Sequence, residues 1–260
     1  RYEMIHTITR TKQLLWSRIH PVWPEYEPLF ADPFGSTGRQ LLHRAPTPRD
    51  VLTLPENELA EFVRKTSRGK YGPIKTNEIL LAAQNSVGMQ RGLEGFRIDI
   101  RLLLDQLEAL KKVKADLEED IKTQATSLPD WLLTLPGITP ITAVSLFGEL
   151  NPIRHFKSPE QLVAFAGLDT NVFQTGTYEK PHRQITKRGS PFLRRTLWQM
   201  AFQASQHEGD LLQFYLRRRK HGQHHLAAVT ATALRLCHIV WRIMTDERPY
   251  LPEGRPQKTH

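Results

Sequence analysis

Two short segments decide how this chain is interpreted, Leu135-Pro136-Gly137-Ile138-Thr139 and Ile185-Thr186-Lys187-Arg188-Gly189-Ser190-Pro191. The first has the pattern of a helix-hairpin-helix turn, in which a glycine-bearing loop and the start of the next helix aim backbone N–H groups at a phosphate. The second is a cationic loop that leads into a helix, with Ser190 at the N-cap position and Pro191 in the first turn. Two phosphate-seeking segments in one domain indicate a nucleic-acid backbone as the ligand.

The candidate DNA-binding residues follow from these two segments. The hairpin turn is expected to give sequence-independent backbone contacts through Pro136, Gly137, Ile138 and Thr139. In the second segment, Lys187 and Arg188 are expected to meet phosphates, and Gly189 permits a close approach.

Further cations extend this patch. Arg194 and Arg195 begin the next helix, and adjacent helical positions face different ways. We therefore expect one of them to meet nucleic acid and the other an acidic partner or solvent. His182 and Arg183 are candidates to extend the patch, and the basic turn 67–73 is either a plain loop or a second phosphate contact.

Bulk composition agrees with a polyanionic partner. The chain has 260 residues, a formal net charge of +9 and a sequence pI of about 9.8, and such a basic balance favours nucleic acid without deciding the fold. The single cysteine, Cys237, excludes an internal disulfide and suits a reducing compartment. No stretch approaches the roughly 18 uninterrupted apolar residues of a membrane span, and no secretory signal precedes the first helix. Because the chain begins at Arg1, we expect a fragment of a longer protein.

Hydrophobic periodicity predicts a mostly α fold. From Leu93 to Thr126 apolar residues recur at alternating spacings near four and three, a heptad-like seam typical of a coiled coil or of a long helix in a bundle. The seam comprises Phe96, Ile100, Leu103, Leu107, Leu110, Val113 or Lys114, Leu117 and Ile121. Short strands in 172–174 and 183–185, around a glycine-bearing turn, predict a small β-hairpin. We divide the chain into a helical linker and coiled-coil dimerisation region (1–126), a DNA-engaging helical domain with the helix-hairpin-helix (127–246) and a mobile tail (247–260).

The series of motifs closely resembles the C-terminal transposase domain of the DEDD-type insertion-sequence recombinases, a family related to the Piv DNA invertase. The resemblance rests on the two segments above, on Gln161-Leu162-Val163-Ala164-Phe165-Ala166-Gly167-Leu168-Asp169, on Gln174-Thr175-Gly176 and on Leu193-Arg194-Arg195-Thr196-Leu197. It extends across nearly the whole chain, up to about Met244. Some members of the family are guided by a bridge RNA.

The resemblance implies a composite active site. One half is a ribonuclease-H-like (RuvC-like) domain whose Asp-Glu-Asp-Asp set binds Mg²⁺, and it would precede the helix that corresponds to Arg1–His20. No acidic quartet can be placed in this chain, so we predict no metal site and no cofactor in it. The other half is a serine in a Gln-Ser-Gly motif that attacks DNA and becomes attached to it.

This chain departs from the family at that serine, because it carries Thr175 in Gln174-Thr175-Gly176. Threonine keeps a hydroxyl, but its β-methyl group crowds the attack and restricts χ1. Four alternatives stay open: Thr175 is a slower nucleophile, Thr177 or Ser190 replaces it, strand exchange has been lost, or Thr175 is an ordinary turn residue. Ser190 is explained more simply as a helix cap, and no base is evident for Tyr178. His221, His224 and His225 lack companion ligands at metal spacing.

We therefore interpret the chain as part of an insertion-sequence transposase or site-specific recombinase. It would supply nucleic-acid binding and the hydroxyl half of the composite site, and the fragment alone would bind nucleic acid without cutting it. The expected partners are DNA, a bridge RNA where one exists, and further copies of the chain in a dimer or tetramer, in the bacterial cytoplasm near the nucleoid and not at a membrane. Two rivals are a non-catalytic helix-hairpin-helix module and a coiled-coil scaffold for protein partners.

Overall fold

The computed structural model describes residues 1–169 and 185–251, together with the backbone pairing of residues 174–175 and 178–179. Most of the predicted tail, residues 252–260, lies outside the described residues. Within these residues the fold is mostly helical, as the sequence predicts. The chain forms two compact units, unit 1 from Arg1 to Leu117 and unit 2 from Glu118 to His260.

Unit 1 contains five helices and most of a sixth. They are α1 (Tyr2–Ile19), α2 (Ser36–Arg44), α3 (Pro48–Leu52), α4 (Glu56–Thr66), α5 (Pro73–Gln84) and α6 (Leu93–Ala125), with a 3₁₀ turn at Pro24–Leu29. Its core is formed by fully buried apolar side chains that include Trp23, Tyr26, Leu41 and Ile79. The sequence predicts helices at 56–66 and 77–87 and a helix that starts at Leu93. The first and the last agree with α4 and with the start of α6, whereas α5 begins four residues earlier than predicted because Pro73 occupies its first turn.

The long helix α6 uses part of its predicted seam inside unit 1. Ile100 and Leu107 are fully buried, and Leu104, which the seam did not include, is buried with them. Val113 is half exposed. The first half of the seam therefore packs within its own chain, and a coiled coil formed by the second half stays a prediction.

A largely buried ion pair ties α3 to α6 in unit 1. Thr47 and Asp50 form a capping box at the start of α3, and Arg97 binds the Asp50 carboxylate at 2.7 Å. Burial alone would raise the pKa of Asp50, but the hydrogen bonds from Arg97 and Thr47 outweigh it and lower that pKa below its usual value. The carboxylate thus stays charged while it caps one helix and anchors the other.

Unit 2 holds the remaining elements. They are α7 (Asp130–Leu133), α8 (Pro140–Leu150), a 3₁₀ turn (Ile153–His155), α9 (Pro159–Ala166), β1 (Gln174–Thr175), β2 (Tyr178–Glu179), α10 (Pro191–Ala204), α11 (Asp210–Lys220) and α12 (His225–Asp246). The strands β1 and β2 pair antiparallel. Residues 172–173 and 183–184 of the predicted hairpin lie outside the described residues, so that hairpin stays a prediction.

Helix α12 is the central helix of unit 2. It packs against α9, α10 and α11, and it buries Val229, Leu236 and Val240. Cys237 lies in the same core, where burial raises the pKa of its thiol to about 12. By length and composition α12 is also apolar enough to cross a membrane. A core helix passes the same test, and its packing against three neighbouring helices accounts for its apolar character.

Candidate nucleic-acid interface

The predicted cationic loop is held against the end of α9. Its backbone amides donate in turn to carbonyls there: Thr186 to Asp169 at 2.8 Å, Lys187 to Gly167 at 3.1 Å and Ser190 to Phe165 at 2.6 Å. The Thr186 hydroxyl adds a 2.5 Å hydrogen bond to the Asp169 carboxylate. We call residues 185–190 the basic loop; its backbone is fixed along its length by the protein itself.

Two glycines allow this close approach. Gly167 ends α9 in the left-handed region at φ +63°, and a Cβ there would lie 2.9 Å from the Gly189 amide nitrogen. A Cβ on Gly189 would lie 1.8 Å from the Phe165 carbonyl oxygen. The sequence interpretation gave Gly189 the task of admitting a phosphate. The structure shows that the protein's own backbone already requires the glycine.

The two cations of the basic loop point into solvent from a strained backbone. Lys187 and Arg188 are both exposed. Lys187 has φ +57°, in the left-handed region that side chains with a Cβ avoid. Such strain persists only where the surroundings over-determine it, and it concentrates at functional sites. The loop therefore presents two positive charges on a fixed backbone, which suits contact with phosphates.

Arg194 helps to build the loop. Its Nη1 donates to the Ala166 carbonyl at 3.0 Å, at the C-terminus of α9, where a cation is favourable. Arg194 and Arg195 are both half-buried, so neither is presented as openly as Lys187 and Arg188. Their predicted contacts to nucleic acid stay predictions.

Ser190 is a helix cap, as expected, and it also has a partner that the sequence did not reveal. Its Oγ accepts a hydrogen bond from the Leu193 amide at 3.1 Å and donates to the Glu149 carboxylate at 2.9 Å. Glu149 lies on α8, far away in sequence, and no local pattern links the two residues. The Ser190 hydroxyl thus both donates and accepts a hydrogen bond. An attack on DNA by Ser190 would therefore remove the N-cap of α10.

Thr175 lies in β1, where its Cα is paired with that of Tyr178 in β2. The side chains of both residues, and the whole of Thr177, His182 and Arg183, lie outside the described residues. The roles predicted for these five residues accordingly stay predictions.

The hairpin turn before α8 is largely satisfied internally. Thr139 and Thr142 form a capping box in which the Thr139 amide donates to the Thr142 hydroxyl at 2.7 Å, and the Ile138 amide donates to the Leu135 carbonyl at 3.2 Å. Gly137 is in the left-handed region at φ +69°, and a Cβ there would lie 2.0 Å from the Met200 carbonyl oxygen. These amides therefore stabilise the turn and are not free to bind a phosphate.

The electrostatic surroundings of the turn also disfavour an anion. Pro136 and Gly137 line a cavity of about 230 Å³ together with Glu208 and Asp210. Two carboxylates beside the turn would repel a phosphate. The helix-hairpin-helix contact stays a prediction, and the basic loop is the better-supported phosphate site.

A second cationic surface lies on α11. Its last turn carries Arg217, Arg218, Arg219 and Lys220, all exposed. The guanidinium carbons of Arg218 and Arg235 each lie 5.0 Å from the centroid of the Phe214 ring, within the range of a cation–π interaction. The sequence reveals the basic run but not Arg235, which comes from α12.

The three histidines after α11 have other partners. His225 Nδ1 is 2.8 Å from the Tyr215 hydroxyl, His221 Nδ1 is 2.6 Å from the Arg217 carbonyl, and His224 Nδ1 accepts from the Leu226 amide at 3.4 Å. Among the residues that the structure describes, no group of three or more His, Cys, Asp or Glu side chains could hold a metal ion.

Comparison with known proteins finds a similarity to transposases within unit 2. Residues 130–216 match the family described as Transposase IS116/IS110/IS902, and the match runs from α7 into α11 through the basic loop. The matched segment is about one third of the chain.

Curated relatives from insertion elements are similar to the chain over a longer stretch. The transposase for insertion sequence element IS1111A of Coxiella burnetii is 28% identical over 153 residues, which cover 57% of this chain and 41% of that protein. The probable family 20 transposase of Pseudomonas aeruginosa is 28% identical over 164 residues, covering 59% and 46%. An uncharacterised 44.8 kDa protein of insertion element IS116 from Streptomyces clavuligerus is 23% identical over 149 residues, covering 56% and 36%. The matched part of the chain spans about two fifths of the length of these relatives.

Proposed function

We propose that this chain is the nucleic-acid-holding part of a DNA transposase that acts on an insertion sequence. The observation that carries the proposal is the basic loop, which presents Lys187 and Arg188 to solvent from a backbone locked to α9. The loop lies inside the segment that matches the transposase family, and the net charge of +9 favours a polyanion. DNA is the expected partner. A bridge RNA, assembly into a dimer or tetramer and a place in the bacterial cytoplasm belong to the same proposal.

Charge reversal in the basic loop tests the binding role. We expect Lys187→Glu with Arg188→Glu to weaken duplex binding for all sequences, because phosphate contacts carry no sequence information. The slope of log K against log salt should flatten by about 0.9 per lost phosphate contact. A double variant on α6, Lys112→Glu with Lys122→Glu, has the same change in net charge and is the matched control. Equal salt-dependence slopes for the two double variants would show that the basic loop does not contact DNA.

We further propose that Thr175 supplies the nucleophile of strand exchange. In that step the Thr175 Oγ1–P bond forms while a P–O bond to a deoxyribose oxygen breaks. The hydroxyl proton passes to a base, and the leaving oxygen takes up a proton. The number of phosphodiester bonds is conserved, so the reverse step can join a new strand. The resemblance implies that a RuvC-like domain with Mg²⁺ serves this chemistry. The described residues of this chain offer no ligand group for it, and no step here passes through the metal.

A strand-exchange assay on the full-length gene product, with Mg²⁺ and RNA co-purified from the host, tests the catalytic role. Denaturing gels should reveal a covalent protein–DNA adduct that disappears in Thr175→Ala. Thr175→Ser should increase the adduct, because it removes the β-methyl group that restricts χ1. Persistence of the adduct in Thr175→Ala would move the nucleophile elsewhere, with Ser190→Ala as the next variant. Salt-sensitive binding without any adduct would instead favour the non-catalytic nucleic-acid-binding module.

A further inference from the structure

Unit 1 contains a cavity that the transposase assignment does not use. Its volume is about 340 Å³, within the range of small-molecule pockets, and it lies between the start of α2 and the turn that joins α4 to α5. The residues that line it include Phe30, Thr37, Gly38, Arg68, Lys70 and Tyr71. The family match begins only at residue 130, so this cavity lies outside the matched domain.

The first feature of the cavity is a helix start without a side-chain cap. Gly35 is the N-cap residue of α2, and no acidic residue occupies the first turn. The first backbone N–H groups of a helix have no partner within the helix and carry partial positive charge. Ser36, Thr37 and Gly38 all line the cavity, so these donors are beside it.

The second feature is the hydroxyl of a largely buried threonine. Thr37 is only 7% exposed and lines the cavity. Among the side-chain hydrogen bonds of the described residues, none involves the Thr37 hydroxyl. The Thr37 oxygen is not one of the fully buried side-chain polar atoms that lack a partner, so it is open to the solvent of the cavity. A hydroxyl that faces the cavity beside the first amides of α2 can therefore bind a ligand with several acceptor oxygens.

The third feature is the basic turn Arg68-Gly69-Lys70, which ends α4. Arg68 has φ +54°, so an arginine occupies the left-handed position where helix ends favour glycine. The turn is fixed by the Gly69 amide, which donates to the Arg64 carbonyl at 2.8 Å, and by the Tyr71 amide, which donates to the Ser67 hydroxyl at 3.0 Å. A strained arginine on a fixed turn beside the cavity suits an anion.

The charge around the start of α2 is mixed, with cations in excess. Asp32 lines the cavity, and its carboxylate accepts the Phe34 amide at 3.2 Å. Just before the start of α2, the Phe34 carbonyl accepts a hydrogen bond from Lys111 at 2.8 Å. Burial lowers the pKa of Lys111, and the nearby charges of Arg39 and Lys12 lower it further. The lining thus holds Asp32 with Arg68 and Lys70. Of the three further cations close to α2, Arg39 is paired with Glu108 at 3.4 Å.

The aromatic wall of the cavity indicates what the anion is attached to. Phe30 and Tyr71 line it, with ring centroids 5.9 Å apart. Lys75 Nζ lies 5.6 Å from the Phe30 ring centroid and 5.8 Å from that of Tyr71. Aromatic side chains with neighbouring cations are the usual platform for a nucleobase, since every base has a stacking face.

We propose that this cavity binds one phosphorylated nucleotide, with its phosphate at the start of α2 and its base against Phe30 and Tyr71. The phosphate would accept hydrogen bonds from the first amides of α2 and from the Thr37 hydroxyl, and it would pair with Arg68 and Lys70. The nucleotide is either a free mononucleotide or the phosphorylated end of a strand, because a pocket of this size admits one residue and not a continuous duplex.

Calorimetric titration of the full chain tests the proposal, with AMP as the probe and adenosine and inorganic phosphate as comparisons. AMP should bind at least tenfold more tightly than adenosine. Thr37→Val, which replaces the hydroxyl by a methyl group of similar size, should weaken AMP binding about tenfold. Arg68→Gly should weaken it at least as much while the protein stays folded, because glycine relieves the strain at φ +54°. Lys122→Gln on α6 is the matched control and should bind AMP as the wild type does.

Two further experiments distinguish a free nucleotide from a strand end, and this cavity from the basic loop. A short single strand with a 5′-phosphate that competes with AMP, while its unphosphorylated form does not, would identify a strand end. Competition by neither strand would identify a free nucleotide. Lys187→Glu with Arg188→Glu should leave AMP binding unchanged, so the failure of one proposal does not imply that of the other. The proposal would be overturned if AMP bound no more tightly than adenosine. It would also be overturned if Thr37→Val and Arg68→Gly bound AMP as tightly as the wild type.

Discussion

The turn Arg68-Gly69-Lys70 in unit 1 and the turn Lys187-Arg188-Gly189 in unit 2 are similar in sequence, but they need their glycines for different reasons. Gly69 has φ +80°, and a Cβ there would meet nothing within 4 Å. Gly189 has no such dihedral requirement, but a Cβ there would lie 1.8 Å from the Phe165 carbonyl oxygen. The first glycine serves backbone conformation and the second serves packing, which a motif of cations and a glycine does not distinguish.

The two turns share a different property, which is an unusual position for a cation. Arg68 and Lys187 are two of the three non-glycine residues with positive φ in the described part of the chain, and the third, Glu247, ends α12. A left-handed residue with a Cβ costs about 1–2 kcal/mol. Both turns therefore keep a cation where glycine would be more stable, and this agrees with the anion binding proposed for each of them.

The largest effect is expected from Gly189→Ala. Its Cβ cannot fit against Phe165 unless the basic loop moves, and such overpacking should lower the free energy of unfolding by about 3 kcal/mol. Urea denaturation measures the change. Gly148→Ala in α8 is the control, because Gly148 has open space around it and alanine favours a helix. Similar stabilities for the two variants would contradict the packing role of Gly189.

Replacing either strained cation with glycine should stabilise the protein and weaken ligand binding. Lys187→Gly and Arg68→Gly each relieve a left-handed backbone and should raise the free energy of unfolding by about 1 kcal/mol. Lys187→Gly should weaken DNA binding, and Arg68→Gly should weaken AMP binding. Thermal denaturation and titration on the same samples measure both. A loss of stability in either variant would show that the side chain makes contacts that outweigh the strain.

A smaller effect is expected at the hairpin turn. Thr139→Ala removes the capping box of α8 and should cost about 1 kcal/mol of stability. Because the turn amides are internally bonded, the salt dependence of DNA binding should not change. Thr47→Ala, which removes the corresponding capping box of α3, is the control for the loss of stability. A flatter salt slope for Thr139→Ala alone would restore the hairpin as a phosphate contact.

The smallest effect is expected at Cys237, which serves as a reporter of unit 2. Its buried thiol has a pKa raised to about 12, so almost no thiolate forms at pH 8. A thiol reagent should leave the native protein unmodified and label it fully in denaturant. Gly189→Ala should accelerate labelling, and Gly69→Ala in unit 1 should not. Rapid labelling of the wild type would contradict the burial of Cys237.

Local signals predicted most of the helices. The bounds of α4 agree with the helix predicted at 56–66, and the start of α10 follows from Ser190 and Pro191, because caps act within a few residues. The prediction of the apolar seam of α6 was only partly right. Leu104, which the seam did not include, is buried because it packs against other elements of unit 1. Short-range patterns carry no information on such packing.

The candidate site was less predictable for the same reason. The sequence identified the cations of the basic loop, but it missed the bond from Ser190 to Glu149 and the hydroxyl of Thr37 that faces the cavity. It also gave Gly189 a role in ligand binding that the close approach to Phe165 accounts for. Each of these features depends on residues that are distant in sequence and come together only in the fold.

The two hydrogen bonds between Asp169 and Thr186 have an evolutionary consequence. They join the chain on either side of residues 170–185, the segment that contains Thr175. Doubling the length of a closed segment costs only about 0.6 kcal/mol. Insertions, deletions and exchanges there are expected to leave the scaffold of α9 and α10 intact. The residues around the proposed nucleophile can thus diverge while the rest of unit 2 is inherited unchanged.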